Sequence, residues 1–405
     1  MVIGRGDDMT RGKCMRTVTA CWALIATAAC FAVSARAESV IAVGGLQAPR
    51  VGHTATLLAD GRVLLVGGQY AASGEIYDPS TRAFHLTTSP NISERYLHAA
   101  ALLPNGQVLV VGGTDGRGAL LRAAERYDPV NDRWHTVAPL LFGRIAPKAT
   151  SLADGRVVVS GGYPYEAEIY DPTTDAWSMA GAMLTHRMQG GATRLPDGRV
   201  LHVGGKGDGP FEYNVTAEVY DPRLNGWTFT AAMQLARVDD PIALGDGRVM
   251  MAGSGGAVAN AAAEAYDPRT GTWSAIAPLP APRLAYAASR LRNGDGLVAG
   301  GNALQYVQTA TDTVFVYEVA FNRWRAAGTL TSSRSGATAT LLNTGEVLIA
   351  GGSDPDGPLM TADLYVPDEV VLRAMPTLST TSILALIVVL GISGFAYRSG
   401  AGATK

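Results

Sequence analysis

Seven arginines recur along the chain: Arg50, Arg95, Arg144, Arg187, Arg237, Arg283 and Arg334. A guanidinium offers five donors in a fixed fork, so seven gathered in one place would favour carboxylates or other anions. The competing reading is structural: a periodic arginine can hydrogen-bond loop carbonyls or pair with an acid in its own repeat. The three positions after each arginine vary. Packing does not demand such repeat-breaking residues, which makes them candidates for function. They hold His53, Tyr96, His98, Gln189, Asp239, Asp240 and Tyr286. Asp239-Asp240 suits a sugar hydroxyl or a cation, and equally a solvated turn. Arg237 with either aspartate, or Arg95 with His98, would combine an anion clamp with a general base.

Several other chemistries are excluded. The three cysteines, Cys14, Cys21 and Cys30, all lie in the first 30 of 405 residues. The remainder therefore has no disulfide framework, zinc cluster or cysteine nucleophile. The six histidines show no HExxH or paired spacing, so no metal and no cofactor are expected. There is no GxSxG, phosphate loop or dinucleotide fingerprint. Asp354-Pro355-Asp356-Gly357 places only two carboxylates at calcium-loop spacing, where calcium takes roughly six to eight oxygens. Turn chemistry explains that segment better.

The elements that must position these residues are repeats. Apolar runs end in a glycine pair at Gly67, Gly112, Gly161, Gly204, Gly300 and Gly351, with Gly253-Ser254 as a variant. Tyr-Asp-Pro follows at Tyr77, Tyr127, Tyr170, Tyr220 and Tyr266, with variants at Tyr317 and Tyr365. Seven residues beyond each of the first six tyrosines stands an aromatic: Phe84, Trp134, Trp177, Trp227, Trp273 and Trp324. Asp-Gly or Asn-Gly turns precede the apolar runs at Asp60, Asn105, Asp154, Asp197 and Asp246, and such pairs supply the positive φ that tight hairpins require. Each unit reads as four short strands, A to D, and no stretch of the middle shows helical period.

The double glycine followed by separated Tyr and Trp, in units near 50 residues, resembles the kelch signature over residues 38–375. The resemblance implies an all-β fold: a seven-bladed kelch β-propeller with four antiparallel strands per blade around a central channel. A lone blade cannot bury both faces, so the Tyr and Trp side chains are expected to fill the gaps between blades rather than to cage a ligand. Strand A would be innermost, which places the seven arginines around one mouth. For blade seven, counting ten residues back from Arg50 gives Val40. Residues 39–44 are therefore expected to supply its fourth strand and clasp the ring, with 370–374 as the competing candidate.

The two ends read as addresses. Residues 15–37 carry a basic start, an apolar run and small residues at Ala35 and Ala37, the pattern of a signal peptide cleaved after Ala37. Met9 or Met15 fits such a start better than Met1, because Asp7 and Asp8 precede them. A lipoprotein site at Cys30 fits less well, with Thr27 where leucine is usual. Residues 382–397 are uncharged, just short of a standard membrane helix. The tail 376–405, preceded by Met375, is similar to bacterial sorting tails of the IPTL type; the plain alternative is a membrane anchor.

Charged residues are 17% of the chain and hydrophobic residues 47%, too apolar for disorder. Between residues 38 and 375 the charge sums to -7, the wrong sign for generic nucleic-acid binding. The expected function is an exported, envelope-associated bacterial propeller. It would bind a protein or carbohydrate through an arginine-lined mouth and loops, with processing machinery and a membrane as partners of the tail. A sugar-modifying enzyme, such as an acidic-sugar mutarotase or epimerase, is the alternative, and a structural surface component a third. The sugar-oxidase version of the fold needs a cysteine cross-linked to tyrosine, for which residues 38–375 hold no cysteine.

Overall fold

A computed structural model describes residues 31–36, 38–69, 71–88, 94–209, 212–253, 260–303 and 309–374. Residues 38–367 form one unit of seven four-stranded antiparallel sheets. Blade one shows the plan: A Thr54–Leu57, B Val63–Val66, C Gly74–Asp78 and D Ala83–Leu86. Strand B is fully buried in every blade, as with Val63–Val66 and Val108–Val111.

Local chemistry sets the turns. At the A–B hairpin Gly61 adopts φ +91°, and the Asp60 carboxylate accepts the Arg62 N–H at 3.0 Å. At the C–D turn the aspartate of Tyr-Asp-Pro accepts a backbone N–H two residues on, as Asp171 does from Thr173 at 2.8 Å. Proline presets φ for the next position. Asp132, Asp175, Asn225 and Asn322 then take left-handed φ near +50°. Their side chains accept the hydroxyl of the tyrosine five residues earlier, for example Tyr170 to Asp175 at 2.7 Å.

Neighbouring blades are joined by the aromatics. Tyr220 faces Trp227 across the C–D ladder with ring centroids 5.1 Å apart. The Trp227 indole N–H donates to the Ala180 carbonyl of the preceding blade at 3.0 Å. The same bond links Trp177 to Ala138, Trp273 to Ala231 and Trp324 to Ala277. These rings are inter-blade packing.

Blade seven closes as the ten-residue count requires. Its sheet runs Thr338–Leu341, Val347–Ala350, Ala362–Val366 and then Ser39–Ala42, with Val40 opposite Tyr365. Glu38 anchors the clasp, its carboxylate accepting from the Tyr365 hydroxyl and from Arg325. One core cluster spans the seam, with Val63 and Leu65 of blade one against Leu348 and Leu364 of blade seven.

The competing segment lies elsewhere: Glu369–Ala374 pairs with Phe31–Arg36 in a two-stranded ladder within a separate unit. The rest of the expected signal peptide, and the expected apolar helix at 382–397, fall outside the described residues. Among the described residues no helix is long and apolar enough to cross a membrane.

Candidate functional site

Strands A and C run one way and B and D the other, so the D–A and B–C loops share one end of the propeller. The seven arginines stand just before strand A at that end. They do not line the mouth. All seven are 0–1% exposed, which corrects the expected arginine-lined opening.

Each guanidinium is instead the centre of a buried latch. Arg187 donates from Nη1 to the Gly204 carbonyl at 3.0 Å and the Thr216 carbonyl at 2.7 Å, and from Nε to Glu218 at 3.0 Å. Burial lowers its pKa below the ordinary arginine value, opposed by the Glu218 charge. Equivalent pairs join Arg50 to Glu75, Arg95 to Glu125, Arg144 to Glu168, Arg237 to Glu264 and Arg334 to Asp363. The carboxylate also holds the loop leading into strand A: Glu168 accepts from the Leu141 N–H at 2.7 Å, and Glu218 from the Leu184 N–H at 2.7 Å. A buried ion pair is tolerable only when its remaining hydrogen bonds are made. Arg187 and Glu218 make theirs, whereas Nε of Arg144, Arg237 and Arg334 has no hydrogen-bond partner among the described residues.

The arginine backbone latches the preceding blade. The second glycine of each described pair donates to the next blade's arginine carbonyl, as Gly113 to Arg144 and Gly352 to Arg50, both at 2.8 Å. Gly112 and Gly113 have φ +67° and +92°. A Cβ on Gly112 would lie 3.0 Å from the Arg144 carbonyl oxygen, and one on Gly113 would lie 2.8 Å from the Tyr96 carbonyl oxygen. Glycine is required there by both strain and space.

Blade six departs from the pattern. Phe315 stands where the others carry an acid, and Arg283 lies 4.6 Å over its ring. Burial without a carboxylate lowers the Arg283 pKa to about 10.

The repeat-breaking candidates divide. His53, His98, Asp239 and Tyr286 are buried, contrary to a channel-lining role. A left-handed residue precedes each histidine, Gly52 at φ +68° and Leu97 at φ +51°, and the imidazole then lies against a glycine of the preceding blade. The position of a Cβ on Gly351 is 2.8 Å from His53 Cε1, and of one on Gly67 is 3.0 Å from His98 Cε1. His53 bonds Thr338, and His98 bonds Thr54. Tyr286 donates to the Ala252 carbonyl at 2.6 Å, and Asp239 accepts from the Ala285 N–H at 2.7 Å. All four serve blade-to-blade bonding. Tyr96 and Gln189 are half-buried, and Asp240 is exposed and paired with Lys148 at 2.5 Å. Lys148 belongs to blade three and Asp240 to blade five, so the pair bridges past Gly190 and Gly191 of blade four.

The loop face carries residues that the sequence argument passed over. His186, directly before Arg187, stacks on Tyr165 with centroids 3.5 Å apart and bonds the Asp208 carboxylate through Nδ1. Asn214 fixes it by donating to the His186 carbonyl at 2.7 Å. The position before the arginine is Pro49, Glu94, Gly143, Ala236, Pro282 or Ser333 in the other blades, none of them aromatic, and that contrast was the available signal. Leu120, Leu141, Phe142, Tyr163, Leu184 and Leu235 are exposed on loops of the same end, Tyr163 at 57% and Leu184 at 50%. The latch acids were also missed, although an acid two residues before the repeated tyrosine is legible in six blades. Among the described residues no group of three or more His, Cys, Asp or Glu could hold a metal.

Seven closed sheets with this latch define a seven-bladed β-propeller. Residues 95–141, from the blade-two arginine to the loop before blade three, match the Kelch motif. No curated protein matches the sequence. Among solved structures, a fungal alcohol oxidase of the AA5 family in complex with copper is similar, with TM-score 0.64 and 15% identity over 83% of this chain and 76% of its own. At that identity the likeness concerns the fold.

Proposed function

We propose that this propeller is a non-catalytic binding module, exported and held at the cell envelope, that docks a protein on its loop face. The observation carrying this reading is the apolar set on loops of blades two to five: Leu120, Leu141, Phe142, Tyr163, Leu184 and Leu235. A soluble monomer rarely exposes contiguous apolar surface without use, and aromatic anchors are enriched where proteins meet. The buried carboxylates supply rigidity, since they pin the loop N–H groups beneath Leu141 and Leu184. Preorganised loops lower the ordering cost of binding. Export and envelope retention rest on the segments at 15–37 and 376–405.

Immobilised full-length protein should retain a distinct envelope protein, and a Phe142→Ser/Tyr163→Ala variant should lose it. A Val130→Ser/Leu224→Ser variant, altered on C–D turns at the opposite end, should keep it. Equal retention by both variants would remove the loop face from the account.

A specific observation favours one second reading. Asp208 on Nδ1 of His186 leaves Nε2 as the free ring nitrogen, the arrangement of a general base. This supports the sugar-modifying alternative. Turnover of an acidic sugar abolished by His186→Gln would establish it in place of pure binding.

A further inference from the structure

The end opposite the loop face holds a second feature, independent of the protein-docking reading. A cavity of about 710 Å³ opens among the A–B hairpins of blades three to six, within the size range of small-molecule sites. Strand A ends there in Leu57, Leu102 and Leu341 in blades one, two and seven, and in Ser151 and Ala243 in blades three and five. In blades four and six it ends in Arg194 and Arg290. Both line the cavity, one on each side of Ala243 in the blade between.

These arginines differ from the buried seven. Both are exposed. Among the described residues neither meets a carboxylate; Arg194 makes only a long bond to the Ser151 carbonyl at 3.4 Å. The two acids in the lining are already neutralised. Asp197 accepts from Arg199 Nε at 2.8 Å, and Asp246 from Arg248 Nε at 2.7 Å. The surplus charge of the cavity is therefore two guanidinium groups, in a domain whose overall charge is negative.

We propose that Arg194 and Arg290 form a binding site for a carboxylate-bearing small molecule. Two forks on opposite sides of Ala243 suit a ligand with more than one carboxylate, each able to accept paired N–H bonds. The remaining lining mixes the glycines of the Asp-Gly hairpins with apolar residues such as Pro196 and Leu244, which suits the carbon frame of such a ligand.

Isothermal titration of the full-length protein with citrate, digalacturonate and maltose tests this. At least one carboxylate probe should bind, with affinity falling as salt rises, and maltose should not. Citrate alone would mark a small-acid site, and digalacturonate alone an acidic-saccharide site. Arg194→Gln and Arg290→Gln should each weaken binding at least tenfold with unchanged melting temperature. Ala243→Asp, which places a carboxylate between them, should abolish it. The proposal is overturned if neither carboxylate probe binds at millimolar concentration, or if binding survives the Arg194→Gln/Arg290→Gln double substitution.

Discussion

Buried imidazoles set the acid limit of the propeller. Burial, with the Arg50 charge adding to it, holds His53 at about 3, against an ordinary value of 6.5. Between those values the unfolded chain binds a proton that the folded chain does not. Stability from this site is complete above pH 6.5 and declines as pH falls towards 3. At pH 5 the loss is about 2 kcal/mol for this one residue. His98 and His202 are pushed down by the same cause and add to the trend. A His53→Gln variant should show a flatter fall in melting temperature from pH 7 to pH 5, and an unaltered slope would contradict the burial. The sequence marks His53 and His98 as repeat-breaking but does not show where they point. A left-handed residue between arginine and histidine lays the ring on the neighbouring blade, and that backbone state is not written in Leu97. His202 was unmarked altogether. It lies beneath Gly190, filling the space where blades one and two carry histidine, since a Cβ on Gly190 would be 2.8 Å from its Nε2.

The blades themselves were legible because one chemistry repeats seven times. Glycine pairs, Tyr-Asp-Pro and the tryptophan offset each report a local requirement: a close approach, a capped turn, a filled gap. Blade seven lacks the aromatic, so its fourth strand had to be found by counting from Arg50 to Val40. Val40 takes the aromatic's place opposite Tyr365 and lies over Gly328 of blade six. Deleting residues 38–42 removes this strand, exposes the ladder edge of Ala362–Val366, and strips Tyr365 of its acceptor Glu38. At about 1 kcal/mol for each lost hydrogen bond, the cost should be about 3–5 kcal/mol. Urea denaturation of the truncated protein gives that figure directly. An unchanged midpoint would return the closing role to another segment.

Across the whole molecule, repetition and recognition separate. What recurs in every blade is structural. What differs between blades divides into buried blade-to-blade bonds, as at His53 and Tyr286, and exposed surface available for binding. An arginine-lined mouth would have joined repetition to recognition. The competing reading, a periodic arginine bonded to loop carbonyls and an acid of its own repeat, is the one the latch bonds match. Burial belongs to the position itself, since Arg283 is buried over Phe315 without any acid. In the other six blades the acid of strand C then pairs with the buried guanidinium. The loop face of blades two to five and the opposite cavity at Ala243 are the blade-specific regions that remain. Equilibrium unfolding of Arg187→Ala beside Tyr163→Ala tests this separation most directly. The first leaves Glu218 buried without its cation and should cost about 3–5 kcal/mol. The second alters a half-exposed ring and should change stability by about 0.5 kcal/mol or less. Wild-type stability in Arg187→Ala would contradict the account, because a guanidinium that holds no blades would be free to hold a ligand.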